Sequence, residues 1–288
     1  MEFKGLYTAI VTPFSKNGKV DFDKLKELVD FQIANRIDGI IPVGTTGESP
    51  TLPIEDHMKV IKTVIERANG RCQIIAGTGA NCTEEAIEQT KKAKKMGADA
   101  TLQVTPYYNK PTQEGLYRHF SSVAEIGLPV VLYNVPGRTG TAIAVDTVAR
   151  LSKNNNIPAI KEAGGSVDRV SEILSTCKIT VLSGDDSLTL PMMALGAKGV
   201  ISVASNYIPG HLKDMIEAFF AGNLEKAKEL HYKYYKFMRD IFVETNPIPI
   251  KAAMARRGMI EEEYRLPLCP MSEKNKKLLF ETMDSIGI

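Results

Sequence analysis

The stretch QIIAGTGANCTEEAIEQTKKAKKMGADATLQV, Gln73–Val104, reads as one strand–helix–strand unit, and the rest of the chain repeats its logic. Gln73–Ala76 and Ala100–Val104 are short, largely apolar runs without clean alternation, which suits strands buried on both faces of a parallel sheet. Between them Thr83 is placed to cap a helix whose first turn holds Glu84 and Glu85. Lys91–Lys95 and Gly97 stand at its far end, an order that satisfies free backbone amides and the helix dipole.

Working outward, the same kind of run recurs at Leu6–Val11, Gly39–Val43, Pro129–Tyr133, Ile157–Ile160, Thr180–Leu182 and Gly199–Val203, making eight strands. A helix-like segment follows each. Leu25, Leu28, Val29 and Ile33 are spaced three and four apart, as are Met58, Ile61, Val64 and Ile65. Pro53 is suited to start the helix after the second strand. Eight βα units in about 220 residues predict a closed (β/α)8 TIM barrel, with an open doubly wound sheet as the alternative. From Leu224 the strand signal stops, and Leu224–Val243, Ile248–Arg257 and Lys276–Ile286 read as helices. Asn246-Pro247-Ile248-Pro249 separates the first two, because proline cannot continue a helix. The expected division is an α/β barrel over 1–223 and a C-terminal helical region over 224–288.

The composition, 43% hydrophobic and 24% charged over 288 residues, excludes disordered and fibrous classes. Thirty-six Lys and Arg against 34 Asp and Glu give a net charge of +2, and no stretch is strongly basic. That leaves no footprint for nucleic acid or an anionic membrane, and points to a small-molecule partner. Cys72, Cys82, Cys177 and Cys269 form no C-x-x-C pair and read as small buried hydrophobes in a reducing compartment. No apolar run approaches the ~18 residues of a membrane span or suits a signal peptide, so a cytoplasmic location is expected. The four histidines lack metal-ligand spacing.

In a parallel barrel, functional groups gather at the carboxyl ends of the strands. Lys161 follows the apolar strand Ile157–Ile160, where partial burial disfavours an ammonium and supplies the free amine that attacks a carbonyl. The alternative is a lysine that snorkels to solvent or pairs with Glu162. Gly44-Thr45-Thr46-Gly47 can cradle a carboxylate or phosphate with successive N–H groups, or serve as an ordinary βα turn. It lacks the Gly-Lys-Ser/Thr ending of a phosphate loop. Tyr108 and Tyr133 are phenols near strand ends, able to pass protons or simply to pack. Arg138 can bind a carboxylate through two parallel hydrogen bonds, or lie on the surface. Gly77-Thr78-Gly79 has Cys82 where a dinucleotide loop needs its third glycine. Asp185-Asp186 can bind a hard cation but has no third ligand nearby, so it reads as structural, and the prolines after Asn246 as a turn.

Taken together, these residues resemble the dihydrodipicolinate synthase family, part of the pyruvate-dependent Schiff-base (class I) aldolase superfamily that includes N-acetylneuraminate lyase. The resemblance runs from Ala9-Ile10-Val11-Thr12-Pro13 to Asn246-Pro247-Ile248-Pro249. Gly44–Glu48, Lys161 and Tyr133 mark the superfamily. Thr105–Asn109, Tyr133–Gly140 and Ser183–Asp186 are more specific to the synthase. The resemblance implies a lyase of lysine (diaminopimelate) biosynthesis that joins pyruvate to L-aspartate 4-semialdehyde and needs neither metal nor organic cofactor. Lys161 would form the imine with pyruvate, and Thr46 would hold its carboxylate, with the Ile201 carbonyl and Gly184 in the same pocket. Tyr133 would move protons, linked by Thr45 to a Tyr108 that reaches in from a neighbouring subunit. Arg138 would receive the semialdehyde carboxylate. The family's usual assembly is a homotetramer built as a dimer of dimers.

In lysine-inhibited relatives an allosteric cleft binds the end-product, at positions that here are Ser49, Pro50, Ile54, His57, Asn81, Glu85 and Tyr107. Ile54 stands where inhibited bacterial forms carry a histidine, and Pro50 where they carry a small residue, so weak or absent inhibition is expected. The rival readings are another pyruvate aldolase, cleaving N-acetylneuraminate or a 2-keto-3-deoxy sugar acid, and a non-catalytic keto-acid sensor.

Overall fold

A computed structural model describes residues 2–288. Eight strands, β1 (Gly5–Ala9), β2 (Gly39–Ile41), β3 (Gln73–Gly77), β4 (Ala100–Val104), β5 (Val130–Asn134), β6 (Ala159–Glu162), β7 (Thr180–Ser183) and β8 (Gly199–Ser202), pair in parallel in sequence order. The ring closes where β1 pairs with β8, setting Tyr7 opposite Ile201, which decides against the open sheet. Helices α1 (Phe22–Ala34), α2 (Ile54–Ala68), α3 (Thr83–Met96) and α4 (Gln113–Ala124) follow the first four strands. Then come α5 (Pro136–Thr139), α6 (Val145–Leu151), α7 (Val167–Thr176), α8 (Thr189–Ala194) and α9 (Pro209–Phe220). Three more, α10 (Leu224–Asp240), α11 (Ile248–Arg256) and α12 (Glu273–Ser285), complete the chain. Among the described residues no helix is long and apolar enough to cross a membrane.

Side chains alternate along each strand, so one set fills the ring and the other meets the helices. Tyr7, Ile41, Ile75, Leu102, Val131, Ala159, Leu182 and Ile201 pack together inside. Outside, Leu25, Leu28 and Val29 of α1 and Met58, Ile61 and Val64 of α2 are buried in a single cluster. Phe237, Ile250, Met254, Leu279 and Met283 of the last three helices belong to that same cluster. At about 2 kcal/mol for each buried apolar side chain, their contribution is comparable to the net stability of a whole domain. The C-terminal helices are thus bound into the core rather than loosely appended.

Three expectations need correction. Cys82, not Thr83, is the cap residue of α3, and the cap carries no side-chain hydrogen bond. The Thr83 hydroxyl instead meets His119 Nδ1 at 2.9 Å, a partner on the next helix. Pro53 sits just outside α2 as its cap, one residue earlier than the first turn. Of the free cysteines, Cys82 and Cys269 are exposed and only Cys72 and Cys177 are partly covered.

His119 is buried and its Nε2 has no partner, so burial pushes its imidazole down to about 4. The unfolded chain, titrating near 6.5, binds a proton that the folded chain refuses, so stability falls as pH drops from about 6.5 to 4. The loss should approach ~3 kcal/mol at the acid end. Urea unfolding of wild type and His119→Leu across that range should show the slope flattened in the variant.

Candidate active site

The β5–β6 ladder sets Tyr133 directly opposite Lys161. Both follow inward-facing residues by two positions, Val131 and Ala159, so both enter the ring's upper end. Lys161 is only 5% exposed and its Nζ lies 4.2 Å from the centre of the Tyr133 ring. This excludes the snorkelling reading. Pairing with Glu162 is excluded as well, because consecutive strand residues face opposite sides. The Glu162 carboxylate points outward and accepts from Asn134 Nδ2 at 2.7 Å, Gly164 N at 2.9 Å and Arg169 Nε at 2.9 Å. Asn134 in turn accepts from the Ile143 amide. The two inward groups are therefore backed by a closed polar network on the helix side.

Gly184 follows β7 and packs on the lysine stem, where an added Cβ would lie 3.0 Å from Lys161 Cε and 2.5 Å from the Ala163 Cβ. Burial raises the neighbouring Asp185 carboxyl, opposed by the Lys161 charge. Asp186 accepts from the Ser202 hydroxyl and from the Val203 and Ala204 amides at 3.0 and 3.1 Å, which fixes the turn after β8. It is the structural residue expected. Ile201 is fully buried on β8.

The threonine turn is built between two non-glycine residues in left-handed conformation, Val43 (φ 55°) and Glu48 (φ 56°). Such backbone costs about 1–3 kcal/mol per residue and persists only where its surroundings enforce it. The amides of Gly47 and Glu48 close the turn on the carbonyls of Gly44 and Thr45. The Thr12 hydroxyl donates to the Gly47 carbonyl at 2.7 Å. Below the turn, a Cβ on Gly77 would come within 2.4 Å of the Val43 carbonyl oxygen, so only glycine permits this approach. Thr46 is buried, and its hydroxyl accepts from Asn246 Nδ2 at 3.0 Å.

A cavity of about 240 Å³ opens over these elements, lined by Thr45, Tyr107, Tyr133, Arg138, Gly77 and Gly79 among others. Arg138 stands on the one-turn α5 and donates to the Asn246 carbonyl at 3.0 Å. Asn246 thus ties the threonine turn to the arginine. Sequence reasoning passed it over as part of a proline turn, and no local signal marks it.

Tyr108 is not brought together with the others. It is 92% exposed in a left-handed conformation (φ 73°), whereas its neighbour Tyr107 lines the cavity and is raised by burial and then by the Glu85 charge. A second cavity, about 330 Å³, shares Ser49, Pro50, Gly79 and Tyr107 with the first. Ile54, His57, Glu85 and Gln89 also line it, and His57 Nε2 donates to the Gly77 carbonyl at 2.8 Å. Asn81 is not among its lining residues; its side chain donates to the Tyr107 carbonyl at 3.2 Å.

Comparison with known proteins identifies the family. The family model described as the dihydrodipicolinate synthetase family matches residues 2–286. A 4-hydroxy-tetrahydrodipicolinate synthase from Geobacter metallireducens is 56% identical over 284 residues, covering 98% of each chain. The solved structure of 4-hydroxy-tetrahydrodipicolinate synthase from Methylacidiphilum fumariolicum SolV superposes with a TM-score of 0.98 at 49% identity, covering 99% of this chain and 96% of that one. A structure of a monomeric dihydrodipicolinate synthase variant has a TM-score of 0.96 at 43% identity, over 99% and 97%. With a family model spanning nearly every residue and full-length relatives above half identity, the chain belongs to the dihydrodipicolinate synthetase family.

Proposed function

We propose that this chain condenses pyruvate with L-aspartate 4-semialdehyde through a Schiff base on Lys161. One observation carries the reading: an inward-facing amine, nearly sealed from solvent, set in register with a phenol that itself lines a cavity. The Lys161 amine adds to the keto carbon of pyruvate, and loss of water leaves the imine. Removal of a methyl proton gives the enamine, whose carbon bonds to the semialdehyde carbon while that oxygen takes a proton. The semialdehyde's own amine then attacks the imine carbon, closes the ring and releases Lys161, giving 4-hydroxy-tetrahydrodipicolinate. Tyr133 relays protons in these steps. Thr46, through its hydroxyl and its own backbone N–H, seats the pyruvate carboxylate, near the Ile201 carbonyl and Gly184. Arg138, held by Asn246 at the cavity wall, receives the second carboxylate. No step calls for a metal or an organic cofactor.

Thr45 and Tyr133 line the same cavity, and Thr45 would extend the relay toward a phenol from outside the chain. The exposure of Tyr108 supports a homo-oligomer, in the tetrameric arrangement, in which each Tyr108 serves a neighbour's cavity. Borohydride reduction in the presence of pyruvate, followed by peptide mass mapping, tests the central claim. A pyruvate-derived adduct on the Lys161 peptide supports it, and an unmodified Lys161 under turnover conditions overturns it. Parallel assays with sugar acids separate the synthase from a lyase, and an untrapped, inactive protein would be a sensor.

The second cavity is where lysine would bind. Ile54 contributes an aliphatic wall there, which offers no hydrogen bond to an amino acid. Turnover measured across millimolar L-lysine should therefore fall little or not at all; strong inhibition would contradict this.

A further inference from the structure

Outside the reacting groups, the chain holds an ion pair with no exposure at either end. Lys251 Nζ lies 2.6 Å from Glu48 Oε1, and both side chains are wholly buried. Lys251 also donates to the Thr12 carbonyl at 3.2 Å and lies 4.3 Å over the Phe14 ring. The second Glu48 oxygen accepts from the Arg265 amide at 3.1 Å. A buried pair is seldom more stabilising than apolar side chains of equal volume, so stability alone does not account for it. What a hydrogen-bonded pair supplies is a fixed distance and direction, which sliding apolar contacts do not.

Its location says what is being fixed. Glu48 closes the threonine turn, donating its own N–H to the Thr45 carbonyl at 3.1 Å. Lys251 stands on α11, which begins two residues after Asn246. That segment therefore grips the turn twice, at Thr46 through the Asn246 amide and at Glu48 through the Lys251 ammonium. Arg265 adds a third hold, donating to the Thr51 carbonyl at 3.1 Å just past the turn.

We infer that Glu48 and Lys251 are positioning residues, which set the height and tilt of Thr45 and Thr46 relative to Lys161. The carboxylate seat would then take its place from the C-terminal helices as much as from the barrel. The inference rests on the reading of that turn as the seat of the pyruvate carboxylate. A misplacement of about 1 Å is enough to cost roughly 10²-fold in an oriented reaction.

The test is the double variant E48Q/K251M, which removes both charges and leaves neither unpaired. It should fold, still trap pyruvate on Lys161 at saturation, and show a pyruvate KM raised about tenfold or more with kcat changed much less. K251R, which keeps the charge but lengthens the arm, should fold and raise KM in the same selective way, and it decides the matter if the double variant does not fold. Wild-type KM in a folded variant overturns the inference, as does a loss of kcat that only tracks the folded fraction. Failure of the wild type itself to trap pyruvate would overturn the Schiff-base reading, and this inference with it.

Discussion

Lys161→Met is expected to lower kcat by ~10⁴-fold or more, the scale on which enzymes lose activity when a covalent nucleophile is removed. Methionine matches the apolar stem, so the Ala163–Gly184 packing around it survives and the protein should melt close to wild type. Two measurements carry the argument. Steady-state turnover should fall to the background of the uncatalysed condensation, and borohydride with pyruvate should leave the 161 peptide unlabelled. Retained turnover above a hundredth of wild type would mean that another amine does the work. Lys251 is the obvious rival, being buried and lowered by burial ahead of the opposing Glu48 charge. Its Nζ is already engaged by Glu48 and Thr12, however, and its side chain is wholly buried.

The second large effect belongs to Tyr133→Phe. The ring remains and still flanks the Lys161 nitrogen, so imine formation geometry is kept while the exchangeable proton is lost. Removing one general acid–base group costs about 10²–10⁴-fold, and a value near 10³ is expected here because water can reach part of the cavity. The loss should fall on kcat more than on the pyruvate KM, since in the proposed reading Thr46, not the phenol, would seat the carboxylate. Rapid-quench trapping should show the imine forming slowly but to full extent. A proportional rise in KM with kcat intact would instead make Tyr133 a binding residue.

Much of this architecture is written locally. Strands buried on both faces are largely apolar, which is why all eight runs were visible; Ala100–Val104 has the same bounds in sequence and structure even though its Thr101 and Gln103 are buried polar residues. Lys161 and Tyr133 stand out because each falls at the carboxyl end of such a run, but position alone leaves the surface and packing readings open, and only the family resemblance assigns them roles. Alternation then decides between Lys161 and Glu162, but only once the inward set is known. What escaped notice depends on long-range contact. Asn246 meets Thr46 across 200 residues and Lys251 meets Glu48 across 203, and neither leaves a trace in its own neighbourhood. Thr83 misled for the same reason: its hydroxyl had a better partner in His119 than in its own helix. Tyr108 is a different case, since its ring is exposed and only the proposed assembly would give it a cavity to serve.

The opposite facings of Lys161 and Glu162 carry a further consequence. A strand has a repeat of two, so a slip of one residue in β6 would exchange the amine for the acid inside the ring. The outcome would be a well-formed barrel with a carboxylate where a nucleophile belongs. Asn134, Gly164 and Arg169, by gripping that acid from outside, make the slipped alignment leave three polar partners stranded. Chemical identity at the centre is thereby guarded from the periphery, and single-residue insertions or deletions within 157–162 should be far less tolerated than those in the preceding 152–156 loop.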